Sequence, residues 1–239
     1  MVANPNITDV SVLDDYEPPP STDTYLGIGH RYLYDAAQSI GEDLGFRLVK
    51  NNIEITNKGN RAFISLFFDT GLASLPFMVG VRSCYDKSAK VAIVSGAGIM
   101  VCSNLCAWGD MMVFRKHTPN AKDDLKNLIE NMKSQAVPRY RSAIHWSNET
   151  KKRDLTDTQG KKIIGSALAT GLVPHRAFLQ AMEHWEKPPF IEFVGERNLW
   201  GVYNALTYGV HLTPTNSRLQ TAINVTNYIK DIQERNALL

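Results

Sequence analysis

From residue 30 onward the apolar positions keep a helical rhythm, then break into short strand-like runs, then return to a helical rhythm. In "HRYLYDAAQSIGEDL" (30–44), Leu33, Ala36, Ala37, Ile40 and Leu44 recur at the spacing that gathers them on one helix face. Gly45 suits the end of that helix. The segments "FRLVKNNIEI", "RAFISLFFD", "PFMVGVRS", "KVAIVSGAGIMVCS" and "MMVFRKH" are short, apolar and β-branched, so each predicts a strand. "NKGN" predicts a turn between the first two, and Gly96 and Gly98 predict a bend, bulge or hairpin. Parallel neighbours would need crossovers of a dozen or more residues, so the close spacing predicts an antiparallel sheet.

The second half is helical by the same test. "TPNAKDDLKNLIENMKSQ" has Thr118 as N-cap, Pro119 at the first helical position, and Asp123 and Asp124 where the helix dipole favours acids. Pro138 predicts a new helix at "PRYRSAIHWSNET". Three more helical segments surround "NLWGVYNALTYGVHL", whose Trp200, Tyr203, Asn204, Thr207 and Tyr208 suit a core or an oligomer contact. The expected fold class is α+β: an N-terminal helix, a mostly antiparallel sheet and a packed C-terminal helical half. Residues 1–24 predict an extended or disordered acidic tail containing three consecutive prolines, and residues 25–239 a single domain.

Charge changes this picture. The net charge of the 239 residues is only +2. The first 29 residues carry Asp9, Asp14, Asp15, Glu17 and Asp23 but no Lys or Arg, whereas residues 82–153 carry 13 Lys or Arg against 6 Asp or Glu. Such an excess points to an anionic partner. Single-stranded nucleic acid needs cations for phosphates and aromatic faces for unstacked bases. The phosphate candidates are Arg82, Lys87, Lys90, Arg115, Lys116, Arg139, Arg141, Lys151, Lys152 and Arg153. Tyr85, Trp108 and Tyr140 are the stacking candidates. Core burial competes as a reading of every aromatic, and solvation as a reading of the Lys151–Arg153 run.

Other chemistry finds little footing. Cys102 and Cys106 lack the second ligand cluster of structural zinc, and three cysteines form no disulfide framework. "SGAGIM" lacks the Lys-Ser/Thr of a phosphate loop, and no nucleophile elbow is present. We therefore expect a non-enzymatic protein with no cofactor, no metal and no membrane segment, in the cytoplasm.

"VGVRSCYDKSAKVAIVSGAGIMVCSNLCAWGDMMVFRKHT", with "LWGVYNALT" near the C-terminus, carries a resemblance. Its order of strand, "R-S-x-Y-D-K-S", strand, "V-C-x-N-L" and "F-R-K-H-T" resembles the single-stranded-DNA-binding RNA polymerase cofactors of N4-related bacteriophages. It is similar, more loosely, to a phage- and plasmid-borne domain family of unknown function. The likeness covers residues 79–118 well, the C-terminal helix moderately and the first 45 residues not at all. It implies a fold other than an OB barrel and sequence-tolerant binding of single-stranded DNA. It also implies a phage RNA polymerase as partner in middle transcription, a possible part in replication, and the cytoplasm of an infected bacterium. A homo-oligomer or cooperative array on DNA is expected with it. The C-terminus "KDIQERNALL" departs from single-strand binders that end in an acidic tail. A strand-annealing protein and an inhibitor of a host protein are the alternatives.

Overall fold

The computed structural model describes residues 9–71, 75–97, 107–115, 118, 120–189 and 194–234, without side chains for 107–115 and for 215, 216 and 219. The chain divides into two compact units: Met1–Ser103 with Trp108–Tyr140, and Asn104–Ala107 with Arg141–Leu239.

The first unit is an open sheet with a helix on it. Strands β1 (Arg47–Thr56), β2 (Arg61–Asp69), β3 (Phe77–Cys84), β4 (Val91–Ala97) and β5 (Ala107–Arg115) lie side by side in chain order. The first four pair antiparallel, with Thr56 opposite Arg61, Arg61 opposite Cys84, and Arg82 opposite Ala92. The fold is thus α+β with an open antiparallel sheet, not a closed barrel. The runs in β2, β3 and β4 are apolar almost without alternation, and their side chains are buried on both faces. Each large one contributes about 1.5–3 kcal/mol of burial. Helix α1 (His30–Glu42) lays Leu33, Tyr34, Ala37 and Ile40 against β1, β2 and β3. Gly41 lets α1 approach this closely, since a Cβ there would meet the Phe68 ring at 2.3 Å. Gly45 turns the chain out of α1 at φ +76°.

Two sequence expectations change here. Gly96 bends nothing: it lies inside β4, paired with Met78, while Gly98 falls outside the described residues. Residues 9–24, expected as a tail, pack on this unit. Asp9 caps a short 3-10 turn (Val10–Asp15) by accepting from the Ser11 amide, Leu13 is buried, and the Tyr16 ring lies on Gly59. Leu13 and Tyr16 are the apolar anchors that the prolines and acids around them obscure.

Helix α2 (Ala121–Lys151) contributes to both units, which divide after Tyr140. It runs through Pro138, so no helix starts there. A proline forfeits one backbone hydrogen bond, but the apolar stripe of Leu125, Ile129, Met132, Ala136, Tyr140 and Ala143 continues across it in register.

In the second unit, α3 (Asp157–Ala169), α4 (His175–Glu186), α5 (Leu199–Val210) and α6 (Thr215–Glu234) pack with the last turns of α2. The Thr156 side chain and Gln159 close a capping box on α3. Every residue of α5 except Tyr208 is buried, as expected of a helix that is apolar all round. Gly209 brings α5 onto α4, where a Cβ would lie 2.3 Å from the Ala177 carbonyl oxygen. Trp146 packs edge-on against Trp200 and Tyr203.

Candidate nucleic-acid interface

The antiparallel order returns alternate turns to the same end of the sheet. The β1–β2 turn (57–60) and the β3–β4 turn (85–90) leave adjacent strand ends, because Thr56, Arg61 and Cys84 are cross-strand neighbours. The Tyr85 amide donates to the Asn60 carbonyl at 2.7 Å, and Asn57 Nδ2 donates to Asp86 Oδ2 at 3.0 Å, so the two turns are joined. A cavity of about 420 Å³ opens here, lined by Thr24, Tyr25, Lys87, Ser88, Ala89, Lys90 and Thr118. Strand β5 ends at Arg115, three residues before Thr118, so the basic end of β5 leads to the cavity wall.

The charge at this end is set by how Asp86 is spent. Its Oδ2 accepts from Arg61 Nε at 2.6 Å and from Asn57, and its Oδ1 from the Ser88 amide at 3.0 Å. Partial burial raises its pKa, and the hydrogen bonds from Ser88 and Arg61 outweigh that, holding the carboxyl below its ordinary range. The acid of the turn is therefore committed. Lys87 and Lys90 are exposed, and the Lys87 ammonium lies 4.8 Å from the centroid of the Tyr25 ring.

Beneath the turns, the aromatic groups hold structure. The His30 ring stacks flat on Tyr85 with centroids 3.8 Å apart. His30 Nε2 meets the Gly59 carbonyl at 2.9 Å, and a carbonyl only accepts, so that nitrogen carries a proton. His30 Nδ1 contacts Ser83 Oγ at 2.9 Å. The Tyr85 hydroxyl accepts from the His30 amide at 2.8 Å and donates to the Tyr16 carbonyl at 3.2 Å. Burial pushes its pKa up to about 12, so it stays a donor.

Comparison with protein-family models, with curated proteins and with solved structures finds no match.

Of the thirteen residues singled out by sequence, this end gathers Lys87 and Lys90, with the backbone of Arg115 leading to it. Arg82 and Tyr85 belong to the same region but to its interior, 6% and 4% exposed. Burial lowers Arg82 from its ordinary pKa, and its Nη2 donates to the Lys90 carbonyl at 3.4 Å. Arg139 and Tyr140 lie at the opposite end of the sheet, about 25 Å away by the length of β3. There the Tyr140 hydroxyl donates to the Leu75 carbonyl, its ring packs edge-on against Phe77, and only 1% of it is exposed. Neither Tyr85 nor Tyr140 offers an open face to a base. Arg139 Nη2 donates to Gln135 within the helix, and with α2 continuous through Pro138 no helix N-terminus backs Arg139 or Arg141.

Arg141 is exposed in the second unit, where the Lys151–Arg153 run is also found. Lys151 lies 5.6 Å from the Trp200 ring centroid, Lys152 pairs with Glu149 at 2.6 Å, and Arg153 Nη1 donates to the Ile232 carbonyl at 2.7 Å. Lys116, and Cys102 and Cys106 of the metal question, fall outside the described residues, as does the side chain of Trp108. Among the described residues no group of three His, Cys, Asp or Glu is placed to hold a metal ion, and no helix is long and apolar enough to cross a membrane.

Sequence reasoning missed Thr24, Tyr25, Ser88 and Thr118 as cavity walls. Thr24 and Tyr25 fall where the acidic tail was expected to end, and nothing local in the sequence signals that this stretch folds against the turn that holds Lys87.

Proposed function

We propose that the protein binds single-stranded DNA without sequence preference, using the sheet end around Lys87 and Lys90 to hold phosphates. One observation carries the reading: two exposed lysines ring a cavity of about 420 Å³ in a turn whose acid is already committed to Arg61, Asn57 and Ser88. A polyanion meets uncompensated charge there, and counterion release favours its binding. The segment that carries the family resemblance, residues 79–118, includes this lysine turn and the strands on either side of it. That coincidence supports the rest of the proposal: a non-enzymatic phage protein that assists a phage RNA polymerase on unwound DNA in the infected cell, and that assembles along the strand.

The test is fluorescence anisotropy of a labelled single strand of about 30 nucleotides, long enough for several binding footprints, and of its duplex. Titrations at about 50 and 200 mM salt give the slope of affinity against salt. The expected result is preference for the single strand, with a log–log slope of about −0.7 for each phosphate held. Equal or absent binding of both forms would defeat the proposal. Faster pairing of complementary strands would assign the annealing alternative instead, and a stoichiometric host protein captured without DNA affinity would assign the inhibitor.

A further inference from the structure

Lys58 is exposed in the β1–β2 turn, next to the residues that join this turn to the lysine turn. Its backbone is left-handed, with φ 54°, and so is that of Lys87, with φ 60°. A side chain with a Cβ is strained in this region, and glycine or asparagine adopts it most readily. The neighbours of Lys58 follow that rule: Asn57 has φ 53° and Gly59 has φ 88°. Turn geometry therefore accounts for Asn57 and Gly59 but not for lysine at 58 or at 87, where glycine would relieve strain. Strain of this kind persists where the side chain is used. The Lys58 ammonium serves no partner inside the fold, while that of Lys87 lies 4.8 Å from the centroid of the Tyr25 ring. Asp86, the acid that bridges the two turns, is held by Arg61, Asn57 and the Ser88 amide, and among the described residues Lys58 and Lys87 form no ion pair.

We propose that Lys58 is a further phosphate-binding cation of this sheet end, kept in a left-handed turn that presents its charge to the strand beside Lys87. The proposal rests on the single-stranded DNA reading and adds to it a residue that the charge pattern of 82–153 does not contain. With Tyr16, Tyr25 and Tyr85 committed beneath the turns, the site so formed reads the phosphodiester backbone and not the bases.

The experiment uses the full chain with Lys58→Gly, Lys58→Arg and Lys87→Gly, a labelled oligothymidylate, and its abasic counterpart. Thermal unfolding is measured on the same samples. Lys58→Gly is expected to leave Tm unchanged or higher while weakening binding severalfold at low salt and reducing the salt slope by about 0.7. Lys87→Gly should behave alike, Lys58→Arg should keep the wild-type slope, and the abasic strand should bind as the thymidylate does. A Lys58→Gly protein with the wild-type slope overturns this inference and leaves the single-strand reading standing. A lower Tm overturns the strain argument, and tenfold weaker binding of the abasic strand overturns backbone reading. A wild-type protein with no salt-dependent binding removes both the inference and the function it rests on.

Discussion

Lys87 and Lys90 sit in a turn of the first unit, and Lys151, Lys152 and Arg153 close α2 in the second. As strings of letters the two stretches are alike: short and basic. In the fold their charges meet different neighbours. Asp86 is withdrawn from the first pair by Arg61, Asn57 and the Ser88 amide, and both lysines face a cavity. The second run is spent within its own unit on Glu149, through Lys152, and on α6, through the Arg153 bond to the Ile232 carbonyl, while each stretch also sets one lysine against a ring, Lys87 on Tyr25 at 4.8 Å and Lys151 on Trp200 at 5.6 Å. A cation is available to a ligand only when the fold leaves its partners elsewhere, so local charge density overstates a binding site.

The largest effect expected from this contrast is on stability. Arg153→Ala removes a charged hydrogen bond that ties the end of α2 to α6, and should cost about 1.5–3 kcal/mol in urea unfolding. DNA affinity of the folded fraction should stay at the wild-type value. A loss of affinity with Tm intact would return this run to the binding surface.

The converse experiment replaces Lys87 and Lys90 together by Ala. Affinity for single strands should fall about tenfold at low salt, equivalent to about 1.4 kcal/mol. The salt slope should drop by about 1.4, and unfolding should stay within about 0.5 kcal/mol. An unchanged slope would remove the turn from the interface.

A pH-dependent effect separates the closed interior of the second unit from the open sheet end. His184 is buried beside the Tyr208 ring, with centroids 4.9 Å apart, and burial lowers its pKa from 6.5 to about 4. The unfolded chain therefore takes up this proton at a higher pH than the native state does. Stability is complete above pH 6.5 and is lost as pH falls from 6.5 towards 4. A progressive fall in Tm over this window is expected, and His184→Gln should flatten it. A wild-type Tm that is level between pH 6.5 and 4 would show His184 to be hydrated.

The smallest effect is assigned to Lys152→Ala. Its pair with Glu149 is exposed, so no more than about 0.5 kcal/mol is expected, with no change in the salt slope. A slope reduced here by the amount expected for Lys87 would make the two basic stretches alike after all.

Much of the fold was legible locally. Helix α1 ends before Gly45, α3 before Gly171 and α5 spans the predicted stretch, because periodic apolar faces, caps and left-handed glycines act within a few residues. Pro138 misled the reading because a local rule met a stronger tertiary one: a continuous buried stripe outweighs one lost hydrogen bond. The candidate site was legible only in part. Lys87 and Lys90 were visible as charge near an aromatic, but Tyr85 and Tyr140, equally visible, turned out to be interior groups. Lys58 was hidden because one lysine in a predicted turn carries no signal until its backbone angle is known.

The sequence by itself determined the α+β class, the antiparallel succession of the first four strands and most of the helices, all set by patterns shorter than one element. Only the tertiary structure decided which charges remain open to a partner. Arg153 meets the Ile232 carbonyl 79 positions away, Tyr85 meets Tyr16 across 69, and Arg61 meets Asp86 across 25. Pairing and burial over such separations depend on which surfaces come together, and no window of residues contains that information.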